Sequence, residues 1–211
     1  MWNHIIDLMS GHKFWYEHWP RAGLIAAIFI LLLLFLNSKV PIGSFEWLYW
    51  FSLPLYMIHQ FEEYIYPGGF KEQLNEILVK GERTGEILTD KMVLIINIGF
   101  IWILTPVLIV LGAFSIIFPV ILMTLVAFNG FVHVIASIRF RKYNPGLVIS
   151  VVGNIPLGIY VLIGLGLTAK ASGIELLIGI LIGIILHLIL LVVLGLRSRK
   201  YKPHYNPNIK K

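Results

Sequence analysis

Apolar runs long enough to cross a bilayer recur about six times along this chain, near residues 22–36, 45–66, 92–111, 116–138, 147–168 and 174–196. Inside hydrocarbon every backbone N–H and C=O must be paired within the protein, so runs of this length fold as helices. With 58% of its 211 residues hydrophobic and 13% charged, the chain has too few polar side chains to clothe a soluble domain. The expected fold is all-α, a polytopic transmembrane bundle that forms one domain over residues 1–211. The third and fourth runs are almost continuous, and Gly112-Ala113-Phe114-Ser115 is the expected turn between them.

Charge orients the bundle. Arg197, Arg199, Lys200, Lys202, Lys210 and Lys211 form a basic tail over residues 197–211, and Arg139, Arg141 and Lys142 follow the fourth run. Bases concentrated beside spans mark the cytoplasmic side, so the net charge of +6 belongs to membrane topology and does not imply nucleic acid. Lys71, Lys80, Arg83 and Lys91 then fall on the same side, and both termini are expected in the cytoplasm of a bacterial or archaeal cell.

Outside the spans the pattern is simple. Residues 1–21 carry Trp2, Ile5, Ile6, Met9, Phe14, Trp15 and Trp19 without a basic n-region or a small-residue cleavage pattern, which predicts a retained interfacial segment. Residues 70–91 form the one sizeable polar stretch. Phe70, Leu74, Ile77 and Leu78 recur there at helical spacing, predicting an amphipathic cytoplasmic connector that breaks at Gly81 to Gly85 and lies solvated on the inner leaflet. Trp47, Tyr49 and Trp50 are placed to form an outer aromatic belt. His4, His12, His18 and His204 fall in aqueous or interfacial segments and carry no site.

Polar groups inside the spans are few and concentrated. His59-Gln60-Phe61-Glu62-Glu63 closes the second run, and a carboxylate at bilayer depth costs about 2.5–3.5 kcal/mol unless a proton, a base or a metal ion compensates it. Helical periodicity gathers His59, Glu62, Glu63 and Tyr66 into one stripe and turns Gln60 and Phe61 away. Asn129 and His133, at i and i+4, form a matching pair on the fourth span. Both spans run toward the cytoplasm, so the two half-sites lie at similar depth and can face one another. Asn97 and Asn154 share that layer as expected interhelical hydrogen-bonding residues. Pro156 frees a backbone carbonyl there, and His187 follows Gly179 and Gly183 on a close-packing stripe as an expected interior histidine. Without a cysteine, the metal ligands available are His59, Glu63 and His133, a set suited to zinc or iron.

The strings His59-x-x-Glu62-Glu63, Asn129-x-x-x-His133 and Tyr143-x-Pro145-Gly146 resemble the signature motifs of the HXXEE-domain family of integral membrane proteins over about Phe45 to Gly146. That resemblance implies a membrane-embedded site and carries no established reaction. The Glu-Glu pair with histidines on neighbouring spans is also similar to CAAX-prenyl-protease-like membrane enzymes. Pro67 stands where those have an arginine and Asn129 where they have a phenylalanine, so shared site chemistry is the reading, not membership.

The leading expectation is a membrane enzyme acting on a lipid-soluble or amphiphilic substrate, with His59, Glu62, Glu63, Asn129 and His133 as catalytic residues. Hydrolysis would use a divalent metal or directly polarised water. The alternatives are a metal-free isomerase of sterol- or terpenoid-like molecules, and a transporter coupled to protons or a divalent cation. Tyr66 and Tyr143 are expected as interfacial anchors rather than proton donors.

Overall fold

The computed structural model describes residues 11–79 and 86–200, with side chains over 14–78 and 86–198. Expectations for Trp2, His4, Ile5, Ile6, Met9, the side chain of His12, Lys80, the 81–85 break, Arg83 and the basic tail beyond Ser198 with His204 lie outside the described residues. Seven helices occupy the described chain and no strand is among them: α1 Gly11–Leu36, α2 Phe45–Tyr64, α3 Phe70–Val79, α4 Asp90–Leu111, α5 Ile117–Phe140, α6 Leu147–Leu167 and α7 Gly173–Lys200. The turn expected at 112–115 separates α4 from α5.

Five helices are apolar enough to cross a membrane by length and composition: Phe14–Leu36 within α1, then α4, α5, α6, and Gly173–Ser198 within α7. Glu46, Glu62 and Glu63 lower the hydropathy of α2, yet its 20 residues reach about 30 Å, the thickness of the hydrocarbon core. It is the central helix. Its buried residues run all the way round, because α1, α4, α5 and α6 pack against it. Ser44 caps its start by accepting the Trp47 N–H at 3.2 Å.

Two spans depart from α-geometry on the way to the site. In α4, Ile95–Trp102 winds as a π-helix ahead of Pro106, and in α6, Ser150–Asn154 does the same ahead of Pro156. A proline donates no N–H and its ring presses on the carbonyl four residues earlier, so a widened preceding turn relieves both problems. The irregular backbone expected at Pro156 is thus present, with a second instance in α4.

Helices α5 and α7 run parallel and meet along the small-residue stripe. A Cβ on Gly179 would lie 2.5 Å from Val120 Cγ1, and one on Gly183 would lie 2.7 Å from Thr124 Cβ. One turn further, Phe128 meets the His187 ring edge-on at 5.1 Å between centroids. Trp19, Leu88, Val93 and Leu194 form a cluster that joins the start of α1 to the end of α7, so both described chain ends lie on one side of the bundle.

Three expectations need correction. The helix of the first span begins by Gly11, so residues 11–21 are helically continuous with that span and not a separate helix, and Trp19 packs against Tyr64 and Trp102. Trp47 and Tyr49 are buried in the protein, with Trp47 stacked on Phe51 at 5.0 Å, because the central helix meets neighbours where a peripheral one meets lipid. The connector is not merely solvated. Asn75 of α3 accepts from the Ile87 and Leu88 N–H groups at 2.9 and 2.8 Å, and Phe70, Leu74 and Leu78 pack on the end cluster.

Candidate functional site

At 100° per residue, Glu62 lies about 60° to one side of His59 on α2, and Glu63 about 40° to the other. The two carboxylates therefore face different neighbours. Glu63 turns toward α5, where its Oε1 lies 3.2 Å from His133 Nε2 and 3.6 Å from His59 Nε2. His59, Glu63 and His133 are 0%, 5% and 2% exposed, and their three ligand atoms fall within 4.8 Å of one another. The convergence expected from the sequence is present. Asn129 joins it, its Nδ2 lying 3.0 Å from His59 Nε2.

A hydrogen-bonded chain sets the tautomer of His133. The Tyr143 carbonyl can only accept, so Gln73 of α3 turns its Nε2 to donate there at 2.8 Å. Gln73 Oε1 then accepts from Asn144 Nδ2 at 2.6 Å, which leaves Asn144 Oδ1 to face His133 Nδ1 at 2.5 Å. Nδ1 must therefore carry the hydrogen. His133 Nε2 points at Glu63 Oε1 either with a lone pair or with a second proton. Two lone pairs at 3.2 Å repel, so one positive charge, a proton or a cation, has to sit among these atoms.

Glu62 is engaged differently. Its carboxylate accepts from the N–H groups of Val148 at 2.9 Å and Ile149 at 2.8 Å, at the start of α6, and from the Tyr143 hydroxyl. An anion at a helix N-terminus satisfies orphan donors and complements the helix dipole. Tyr143 is thus a hydrogen-bond donor to Glu62, a partner that the anchor expectation did not include. Its burial and the adjacent Glu62 carboxylate both hold that hydroxyl above its ordinary range, so it stays protonated.

The Tyr-x-Pro-Gly string has a physical reason here. Gly146 begins α6 with φ +97°, and a Cβ there would lie 2.6 Å from His59 Cε1 and 2.8 Å from His133 Cε1. The turn that delivers Tyr143 to Glu62 and Asn144 to His133 also lays bare backbone against both imidazoles. Asn144, Gln73 and Gly146 carry no site assignment in the sequence reading. The variable position of the third motif was the one signal that could have found Asn144.

Other expected residues divide. Tyr66 lies beyond the end of α2 and is 77% exposed, so it is no part of the polar stripe. Asn97 does join helices: it accepts from Gln60 Nε2 at 2.9 Å and donates to the Val93 carbonyl at 2.8 Å, while Trp102 Nε1 donates to Gln60 Oε1 at 2.7 Å. Asn154 does not. It is fully buried and among the described residues neither of its amide atoms has a hydrogen-bond partner, nor has His59 Nδ1. The widened turn that ends at Asn154 brings its Cβ side against Gly130 and not against a polar neighbour.

A cavity of about 170 Å³ adjoins the cluster. Glu63, Asn129 and His133 stand on its wall together with Asn97, Asn144 and His187, and the remaining lining is apolar or tyrosine. Helix α3 closes one side, with the Phe70 ring 5.2 Å from that of His133.

A protein-family profile described as a protein of unknown function with HXXEE motif matches residues 50–161. The chain belongs to the HXXEE family. Neither a curated protein nor a solved structure matches it. The HXXEE region contains His59, Glu62, Glu63, Asn129, His133 and Tyr143 to Gly146, so its three motifs build one assembly: a convergent cluster and the cradle that positions it. Helix α1 and helix α7 with His187 lie outside the matched residues.

Proposed function

We propose that this HXXEE protein is a membrane-embedded enzyme, in a bacterial or archaeal cytoplasmic membrane, in which His59, Glu63 and His133 hold a divalent cation beside a cavity for an amphiphilic or lipid-soluble substrate. The two imidazole-to-carboxylate spacings carry the reading, with all three ligand atoms within 4.8 Å of one another. Ligands about 2.1 Å from a tetrahedral ion stand about 3.4 Å apart, and the two imidazole-to-carboxylate separations are 3.2 and 3.6 Å. Two nitrogens and one oxygen suit zinc or iron. Such an ion would supply Lewis acidity toward an oxygen of water or substrate.

The chain's own groups have separate tasks. Asn144 holds His133 with Nε2 directed inward, and Asn129, whose amide shares the His59 Nε2 lone pair, would yield it to the ion and turn to the cavity it also lines. Glu63 neutralises positive charge in the cluster and is the carboxylate available to move a proton. Glu62, with both oxygens engaged, fixes α6 and takes no part in the chemistry.

A second reading has its own support: a proton shared between Glu63 and the imidazoles also satisfies two Nε2 atoms aimed at one oxygen, as an acid/base isomerase requires. Transport has less. Ser52 and Thr124, away from the cluster, donate to carbonyls of their own helices at 2.6 and 2.8 Å and extend no polar path. Elemental analysis of purified protein beside Glu63→Gln and His133→Ala decides between the first two. About one zinc or iron per chain, lost in both folded variants, is the expected result. Equal metal in all three overturns the cation reading, and turnover of a lipid extract that survives chelator selects the isomerase.

A further inference from the structure

The apolar side of the cavity identifies the kind of molecule that reaches the cluster and the route it takes. Ile96 and Phe100 of α4 face Leu186, Leu190 and Leu191 of α7 across it. Both helices are candidate membrane spans that come together at the end cluster, which holds Val93 of α4 and Leu194 of α7, and among the described residues they do not pack side by side beyond it. The cavity occupies the gap between them, and the rim residues Phe100 and Leu191 are 41% and 38% exposed at the lipid-facing surface. Such a gap opens sideways to lipid.

Volume and charge restrict the occupant. An apolar cavity near 150 Å³ accepts a benzene ring, so about 170 Å³ takes roughly six to eight carbon atoms. A longer chain must leave the remainder in the bilayer, and two chains do not fit. Among the described residues no lysine or arginine lines the cavity, so no side chain there pairs with a phosphate or sulfate head. Hydroxyl or ester oxygens remain: they can meet Asn129 and His133 without an added charge.

Resting on the enzyme reading above, we propose that the substrate is a single-chain, uncharged lipid with an oxygen at or near one end. It enters from the membrane between α4 and α7, places its head and first carbons against Glu63, Asn129 and His133, and leaves its tail in the bilayer. The α4 side of this wall lies within the residues that the HXXEE profile matches, and the α7 side lies beyond them.

The test uses the full chain in nanodiscs with a 16-carbon primary alcohol that carries a mid-chain diazirine. Photolabelling is expected on α4 and α7 near Phe100 and Leu190, reduced at least tenfold by excess hexadecanol and unchanged by excess dodecyl phosphate. Leu190→Trp, which fills the gap without touching the cluster, is expected to cut labelling about tenfold while leaving metal content as in wild type. Wild-type label confined to outward faces such as Ile25 or Val107, or label that hexadecanol leaves in place, overturns the proposal even if the tryptophan variant does not fold. Equal competition by the phosphate overturns the uncharged head. Metal content of Glu63→Gln, measured on the same samples, reports on the cation reading alone, so either proposal can fail without the other.

Discussion

Glu62 and Glu63 are neighbours on one helix and are both buried, yet the structure uses them in opposite ways. Glu62 sits in a cradle of two backbone N–H groups and a tyrosine hydroxyl, donors whose charge does not change. Glu63 faces two imidazoles that can each take a proton or a metal ion. A carboxylate answered by fixed donors is a structural joint, and one answered by variable donors is a candidate site for binding or proton transfer. The difference comes from 100° of helix rotation, which points one residue at the start of α6 and the next at α5.

Substitutions at the two positions should separate stability from binding. The largest effect is expected from Glu62→Ala, which strands two partly buried N–H groups at the start of α6 and should cost about 2–4 kcal/mol, read as a lower midpoint of thermal unfolding in detergent. Glu62→Gln keeps one acceptor and should lose less. If either leaves the midpoint unchanged, the cradle is not a joint.

Glu63→Gln should do the reverse, weakening zinc affinity more than about 100-fold in calorimetric titration with an unfolding midpoint close to wild type. A variant that loses stability but retains zinc would erase the contrast. Asn144→Ala should have an intermediate effect, about 10- to 100-fold in zinc affinity, because His133 loses the acceptor that holds its Nδ1–H. Asn144→Asp keeps that acceptor and should restore most of the binding.

The smallest effect lies at the rim. Burial alone would lower the Lys71 pKa, but hydrogen bonds to Asp90 and Glu86 outweigh it and hold the ammonium above its ordinary value. A raised folded-state pKa contributes stability that is complete below about pH 10.4 and lost as pH rises further, so the small destabilisation by Lys71→Ala should be full in scans at neutral pH and fade above about pH 10.4. Its partners are half exposed, so the alkaline loss should be slight.

Much of the architecture was legible because it is one-dimensional information. Apolar run length marked the spans, and positive charge beside them placed both described ends on one side. The i, i+4 spacings of His59 with Glu63 and of Asn129 with His133 put two half-sites on inward faces. Periodicity also misled. It counted Tyr66 into the stripe, although α2 ends before it, and it grouped Glu62 with Glu63 because both flank His59. Asn154 looked like an interhelical donor, since its surroundings depend on a π-turn that hydrophobic pattern does not reveal.

Sequence alone established a helical membrane protein with His59, Glu63 and His133 at one depth, because bilayer thickness and helix pitch convert residue number directly into position. Tertiary structure decided which carboxylate is spent on a helix N-terminus, which nitrogen of His133 carries hydrogen, and that α3 closes over the cluster while a cavity parts α4 from α7 beyond their shared end cluster. Those outcomes depend on contacts between residues such as Gln73 and Tyr143 or Glu62 and Ile149, which are distant along the chain and meet only when the helices pack.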